Sequence, residues 1–150
     1  MGNNHYYENI GFALELLAQS IYHKQKNISD YFRVEVLPAI WKNQARFYVT
    51  KDGIPRAMVT WAWLSEAIEE EVHATGRALA LHEWECGNRL FFNDWVTPYG
   101  NIQEVLRDMT CNLFPNEIAT SLRRNQDGSV RRINRWTGAN IRRFDKRAVM

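Results

Sequence analysis

The chain has 150 residues, of which 45% are hydrophobic, 24% charged and 13% aromatic. This excludes a disordered tail, a collagen-like rod and a disulfide scaffold, and it fits one domain built on one core. The net charge of +2 hides a split: residues 121–150 carry nine bases against Asp127 and Asp145, or +7, and residues 1–120 carry ten bases against fifteen acids, or −5. One end is built to meet something negative.

Tyr6, Ile10, Leu14, Leu17 and Ile21 recur at helical spacing and predict an amphipathic helix over 6–20. Asn27-Ile28-Ser29-Asp30 resets the chain. A short helix carrying Phe32, Val36 and Leu37 follows, which Pro38 disfavours continuing. Ala45–Thr50 and Arg56–Leu64 flank the turn signal Lys51-Asp52-Gly53-Ile54-Pro55 and read as a hairpin. Ser65 with Glu66, Glu69, Glu70 and Glu71 opens a helix with acidic first turns, as the dipole favours. Further strands are expected over Ala78–Trp84 and Leu90–Thr97. Pro98-Tyr99-Gly100-Asn101 then starts a helix carrying Ile102, Val105, Leu106, Met109 and Leu113, which Pro115-Asn116 ends. Ile118–Arg124 and Ser129–Trp136 flank Asn125-Gln126-Asp127-Gly128, a second hairpin signal. This order predicts a single α/β domain over 1–150, with helices flanking a mixed, mainly antiparallel sheet and a basic hairpin and tail at 121–150.

The longest apolar stretch, around Met58–Leu64, is far below the ~20 residues of a membrane span. The first residues have neither a basic nor an apolar leader region, so a cytoplasmic protein without stable membrane insertion is expected. Tyr6 stands where an N-myristoylation signal needs Ser or Thr. Cys86 and Cys111 lack CxxC spacing and read as reduced thiols.

No GxSxG elbow, P-loop or GxGxxG occurs. Arg135-Trp136-Thr137-Gly138-Ala139-Asn140 half-matches the pyrophosphate loop of acetyl-CoA-dependent acetyltransferases, but it lacks the final small residue and lies too near the C-terminus. His82 and Cys86 would share a face only on a helix, and strand alternation fits that segment better, so no metal site is expected. His23 lies at a helix-to-loop junction, where function tends to sit; the plain alternative is a surface histidine at a helix end. Asp94 stands among aromatic residues on an expected central strand, where aspartate is depleted and costly to bury unpaired. It reads either as an outward-facing strand residue or as a carboxylate that orients an imidazole. The basic end, with Trp136 and Phe144, reads as a solvated hairpin or a nucleic-acid surface.

Four ordered segments carry a family resemblance. They are Ser20-x-x-His23 after the opening helix; Leu37-Pro38-Ala39-Ile40 with Asn43-Gln44; Trp61-Ala62-x-Leu64-Ser65 before the acidic helix; and Asp94-Trp95-x-x-Pro98-Tyr99-Gly100. Together they resemble the RTX toxin-activating lysine acyltransferases, over about residues 10–136. The resemblance implies a fold similar to the Gcn5-type N-acetyltransferases. It implies transfer of a fatty acyl group from acyl carrier protein to internal lysines of an inactive RTX protoxin, with the carrier's phosphopantetheine thioester as donor and no tightly bound cofactor. It carries His23 and Asp94 over as catalytic residues. Trp63 stands where the family has Asn, Tyr99 replaces a Phe, and the chain ends sooner after the basic hairpin than its relatives do.

On that reading His23 deprotonates the target amine, and Asp94 fixes its tautomer. Ser20 or Cys86 is the alternative, as an acyl-accepting nucleophile. Gly100 and Asn101 open the helix whose N–H groups would receive the carrier's phosphate. Arg131 and Arg132 would meet the acidic carrier protein. Trp61, Trp63, Phe91 and Phe92 are candidates for an acyl slot. The partners expected are acyl carrier protein and an RTX protoxin, without nucleic acid and with room for a homodimer. The other readings are a CoA-dependent acetyltransferase of the same fold and a nucleic-acid-binding protein using the basic end.

Overall fold

Apolar alternation along residues 45–64 closes into the hairpin β1 (Ala45–Val49) and β2 (Pro55–Leu64), from which the sheet grows. The computed structural model describes residues 2–143, with side chains from residue 5. Lys146 and Arg147 of the basic end lie outside them. β3 (Arg89–Val96) pairs antiparallel with β2, β4 (Ile118–Arg124) parallel with β3, and β5 (Val130–Thr137) antiparallel with β4. The order β1-β2-β3-β4-β5 is the expected mixed, mainly antiparallel sheet with flanking helices.

β2 divides two packed layers. Ala57, Val59 and Trp61 face α5 (Ile102–Asp108) and the π-helical turn Met109–Leu113 that extends it, in a cluster with Leu90, Phe92, Val105 and Met109. Met58, Ala62 and Leu64 face the other layer, built from α1 (Gly2–Gln19), α2 (Ile28–Tyr31), α3 (Leu37–Trp41) and α4 (Glu66–Thr75). Tyr48 Oη donates to Asp108 Oδ2 at 2.5 Å, and Arg46 Nε lies 3.0 Å from the same oxygen, tying β1 to α5. Burial first, and then this hydrogen bond, push the Tyr48 phenol well above its usual range. Among the described residues no helix is long and apolar enough to cross a membrane.

Three expectations need correction. The first helix forms, but its buried side is Ala13, Leu16, Leu17 and Ser20, and Leu14 and Ile21 are exposed. Leu16 and Leu17 face inward with Ala13 and Ser20, two side chains that a stripe of large apolar residues does not register. Pro38 does not stop its helix. α2 runs through a π-helical turn, Phe32–Val36, into α3, and Leu37 N–H bonds Phe32 O. Pro38 then sits in the first turn of α3, where its missing N–H is not needed.

The third expected strand, Ala78–Trp84, is absent. That segment instead turns through a 3₁₀ helix, Leu81–Glu83, and Trp84 is fully buried with Leu64, Val72 and Phe91. A clamp holds the turn. Arg77 Nη1 and Nη2 each lie 2.8 Å from one oxygen of the buried Glu83, Glu71 binds the same guanidinium, and Ala80 N–H donates to Glu83 Oε1 at 2.7 Å. The Arg77 hydrogen bonds pull the Glu83 carboxyl down to about 2, against the opposing pull of burial. A depressed carboxyl stabilises the fold fully above its unfolded range and loses that contribution as pH falls from about 4.5 to about 2. Glu83→Gln should therefore cost about 1–3 kcal/mol at neutral pH. Its melting temperature should also fall less than the wild type's across that acid window. Thermal denaturation from neutral to acid pH checks both; parallel curves would contradict the clamp.

Candidate active site

The end of α1 is built around Ser20. Its carbonyl accepts Lys24 N–H at 2.9 Å, and its hydroxyl accepts His23 N–H at 3.2 Å, which turns the chain into a 3₁₀ turn over His23–Gln25. His23 is therefore carried inward, only 4% exposed. Edge contacts with the rings of Tyr22 and Tyr31 hold its plane, at centroid distances of 4.9 and 5.3 Å.

β3 supplies the other half through a bulge. Thr60 pairs with Asp94 and Trp61 with Phe92, so Asn93 is an extra residue on β3. Phe92 faces the α5 layer. Asn93 bonds Glu35 and Asp94 bonds His23, both in the α1–α4 layer. Regular alternation would send Asp94 to the opposite face; the bulge keeps two successive polar side chains on one face.

His23 Nε2 lies 2.7 Å from Asp94 Oδ2, and its Nδ1 lies 2.6 Å from Ser20 Oγ. Asp94 Oδ1 accepts Trp95 N–H at 2.8 Å. A carboxylate only accepts, so Nε2 carries the proton of the neutral imidazole, and Nδ1 accepts from the Ser20 hydroxyl. If Nδ1 gains a proton, the hydroxyl can rotate to accept it. The constellation thus holds imidazole and imidazolium in one place.

A cleft of about 590 Å³ opens on this group, lined by Ser20, His23, Asp94, Pro98, Ile102 and Arg123. The sheet makes room for it. β3 and β4 pair only at Leu90–Ala119 and Phe91–Thr120, and past that point the parallel strands part. Arg123 projects from the freed end of β4. It entered the sequence reading only as part of a charge count; the parting of two parallel strands, which no local pattern encodes, gives it a place.

Not all the expected residues converge. Gly100 (φ 77°) and Asn101 form the turn into α5 but line a separate depression of about 400 Å³ with Arg56 and Tyr99; only Ile102 reaches the cleft. Arg131 and Arg132 are exposed on β5, outside the cleft, with Arg132 paired across the ladder to Arg123. Cys86 is exposed near Ser65, whose N–H approaches its sulfur at 3.4 Å, and it lines no part of the cleft. Trp61, Phe91 and Phe92 are buried core, and Phe91 and Phe92 lie on opposite faces, so they form no common acyl slot. The half-matched pyrophosphate loop is a packing element. Gly138 N–H bonds Glu117 O and Asn140 N–H bonds Pro115 O, and a Cβ at 138 would lie 2.4 Å from Pro115 O.

A family model described as the RTX toxin acyltransferase family matches residues 3–137. The RTX-I toxin-activating lysine-acyltransferase of Actinobacillus pleuropneumoniae is 32% identical over 90% of this chain and 77% of its own length. A protein-lysine myristoyltransferase of Escherichia coli is 31% identical over 89% of this chain and 77% of its own length. An uncharacterised protein of Synechocystis sp. is 32% identical over 62% of this chain, and the match spans 64% of that protein.

The ring-nitrogen assignment is testable by ¹⁵N NMR. The wild type should show His23 protonated at Nε2 and bare at Nδ1. Asp94→Asn, whose amide can donate or accept, should lose that bias. A wild-type spectrum with the proton on Nδ1 would contradict the geometry.

Proposed function

The chain belongs to the RTX toxin acyltransferase family, and from that premise we propose that it transfers a fatty acyl group from acyl carrier protein to internal lysine side chains of an RTX protoxin, with His23 as the base. The observation that carries this reading is the buried imidazole held between Asp94 and Ser20 at the mouth of a cleft.

A lysine amine has an ordinary pKa near 10.4, so at pH 7.5 only about 0.1% is neutral, a penalty of about 4 kcal/mol. A histidine base near neutrality offsets that penalty. Nε2–H is committed to Asp94, so the basic nitrogen is Nδ1, reached through Ser20 Oγ. As the amine nitrogen attacks the thioester carbonyl, its proton passes to Ser20 Oγ while the hydroxyl's own proton passes to Nδ1. Asp94 stabilises the imidazolium that results. The C–S bond breaks, the carrier thiolate recovers the proton by the reverse path, and the lysine is left as an amide.

In this reading Arg123, which lines the cleft, meets the phosphate of the carrier's phosphopantetheine arm, and the first turn of α5 after Gly100 and Asn101 offers it backbone donors, since Ile102 also lines the cleft. Arg131 and Arg132 steer the acidic carrier from outside the cleft. The reaction runs in the cytoplasm, without nucleic acid, within the single domain spanned by the chain.

The 2.6 Å contact between Ser20 and His23 also suits a second route, in which Ser20 takes the acyl group first. Mixing the protein with acyl carrier protein alone separates the two. The relay predicts no acyl-Ser20 in intact-mass spectra, and an acyl adduct would establish the covalent route. Asp94→Asn should lower kcat by about 10²–10⁴-fold with the fold intact. Arg131→Glu with Arg132→Glu should raise KM for acyl carrier protein, most at low salt, and leave kcat unchanged. Full Asp94→Asn activity, or a charge reversal that weakens only nucleic-acid binding, would overturn these roles.

A further inference from the structure

A second cavity, of about 160 Å³, meets the same carboxylate. Asp94 and Tyr22 line both cavities; the smaller one adds Tyr31, Glu35 and Asn93. Two backbone irregularities build it. Glu35 stands on the π-helical turn Phe32–Val36, and Asn93 is the bulged residue of β3. Both devices re-aim side chains, and both concentrate at functional sites.

Asn93 is 8% exposed and donates Nδ2–H to Glu35 Oε2 at 2.8 Å. That is the one hydrogen bond that either side chain makes among the described residues, and no cation there pairs with Glu35. The cations on the rim are engaged elsewhere. Arg124 Nε–H donates to Gly76 O at 2.9 Å, and Lys26 Nζ lies over the Tyr22 ring, 4.7 Å from its centroid. A half-buried carboxylate with a single neutral donor is short of positive charge. The cavity therefore offers two carboxylates and the carbonyl oxygen of Asn93 to the three N–H bonds of a primary ammonium, with tyrosine rings to flank its methylenes.

We propose that the acceptor lysine enters by this cavity and docks its ammonium between Glu35 and Asp94, while the acyl thioester arrives from the opposite mouth, past Arg123. Glu35 and Asp94 hold the ammonium on the Nε2 side of His23, and the amine advances past the ring to meet the thioester at Ser20 Oγ, so donor and acceptor do not share a channel. Docking changes no bond; on leaving the site the ammonium gives one proton to solvent, and the neutral amine gives the second to Ser20 Oγ in the transfer step above. The inference rests on the acyltransferase reading, and it makes Glu35 the residue that recognises the lysine.

The test is a titration of the full chain with N-acetyl-lysine methylamide and with its norleucine counterpart, followed by the amide resonances of Asn93 and Asp94. The lysine probe should shift them and the norleucine probe should not. Glu35→Gln, which keeps its hydrogen bond with Asn93 and so its fold, should weaken the lysine probe about tenfold. It should also raise KM for the lysine acceptor and leave KM for acyl carrier protein unchanged, and Glu35→Asp should recover part of the loss. Equal lysine binding by wild type and Glu35→Gln overturns the inference, as does stronger binding of inorganic phosphate at these residues. Binding needs no acyl donor, so an enzyme that binds lysine through Glu35 but transfers nothing would indict the acyltransferase reading instead.

Discussion

The hydrogen bond between His23 Nε2 and Asp94 Oδ2 spans 71 residues of chain, and it forms because β3 carries one residue more than β2 opposite Thr60. Were the same residues to alternate without the bulge, Asp94 would turn toward the α5 layer, among Phe92, Val59 and Trp61, where an unpaired carboxylate is costly. The rest of the site depends on this step. α1 must end where it does for Ser20 to turn the chain, and it docks by burying Ala13, Leu16 and Leu17 against Val36, Met58 and Val96. The Tyr22 and Tyr31 rings then fix the imidazole plane. Each of these is a packing requirement, and together they set ring-nitrogen distances of 2.6 and 2.7 Å.

The charge split has a geometric counterpart. Acidic residues do structural work in the first 120 residues: Glu83 in the Arg77 clamp, Asp108 between Tyr48 and Arg46, and Glu69 against Arg89. The arginines of the β4–β5 hairpin behave differently. Arg131, Arg132 and Arg135 are exposed and make no ion pair among the described residues, while Arg123 reaches the cleft from the same hairpin. A basic surface continuous with one basic residue inside suits a ligand whose body is an acidic protein and whose reactive arm carries a phosphate.

Much of this was legible in the sequence. Both hairpins, the Ser65 cap, the α5 helix and the pairing of His23 with Asp94 follow from turn residues, alternation and a resemblance carried by short motifs. What stayed hidden depends on tertiary context. The buried face of α1 is marked by alanine and serine, which a hydrophobic stripe does not weigh. Ala78–Trp84 reads as a strand because it is apolar, with Leu79 and Leu81 two apart, yet the buried pair is Leu79 and Trp84, five apart, and the Glu83–Arg77 clamp bends the segment to bury both. Pro38 reads as a stop because a π turn one register out has no sequence signature. The bulge at Asn93, and with it the position of Glu35, is a relation between two strands that neither strand states alone.

The most direct measurement is single-turnover acylation of a protoxin lysine by His23→Ala, followed by mass spectrometry with and without added imidazole. If His23 is the base, the rate should fall by about 10²–10⁴-fold and recover in part as imidazole is raised. Amide formation at the wild-type rate without imidazole would contradict the role of His23 and, with it, the purpose of the bond to Asp94.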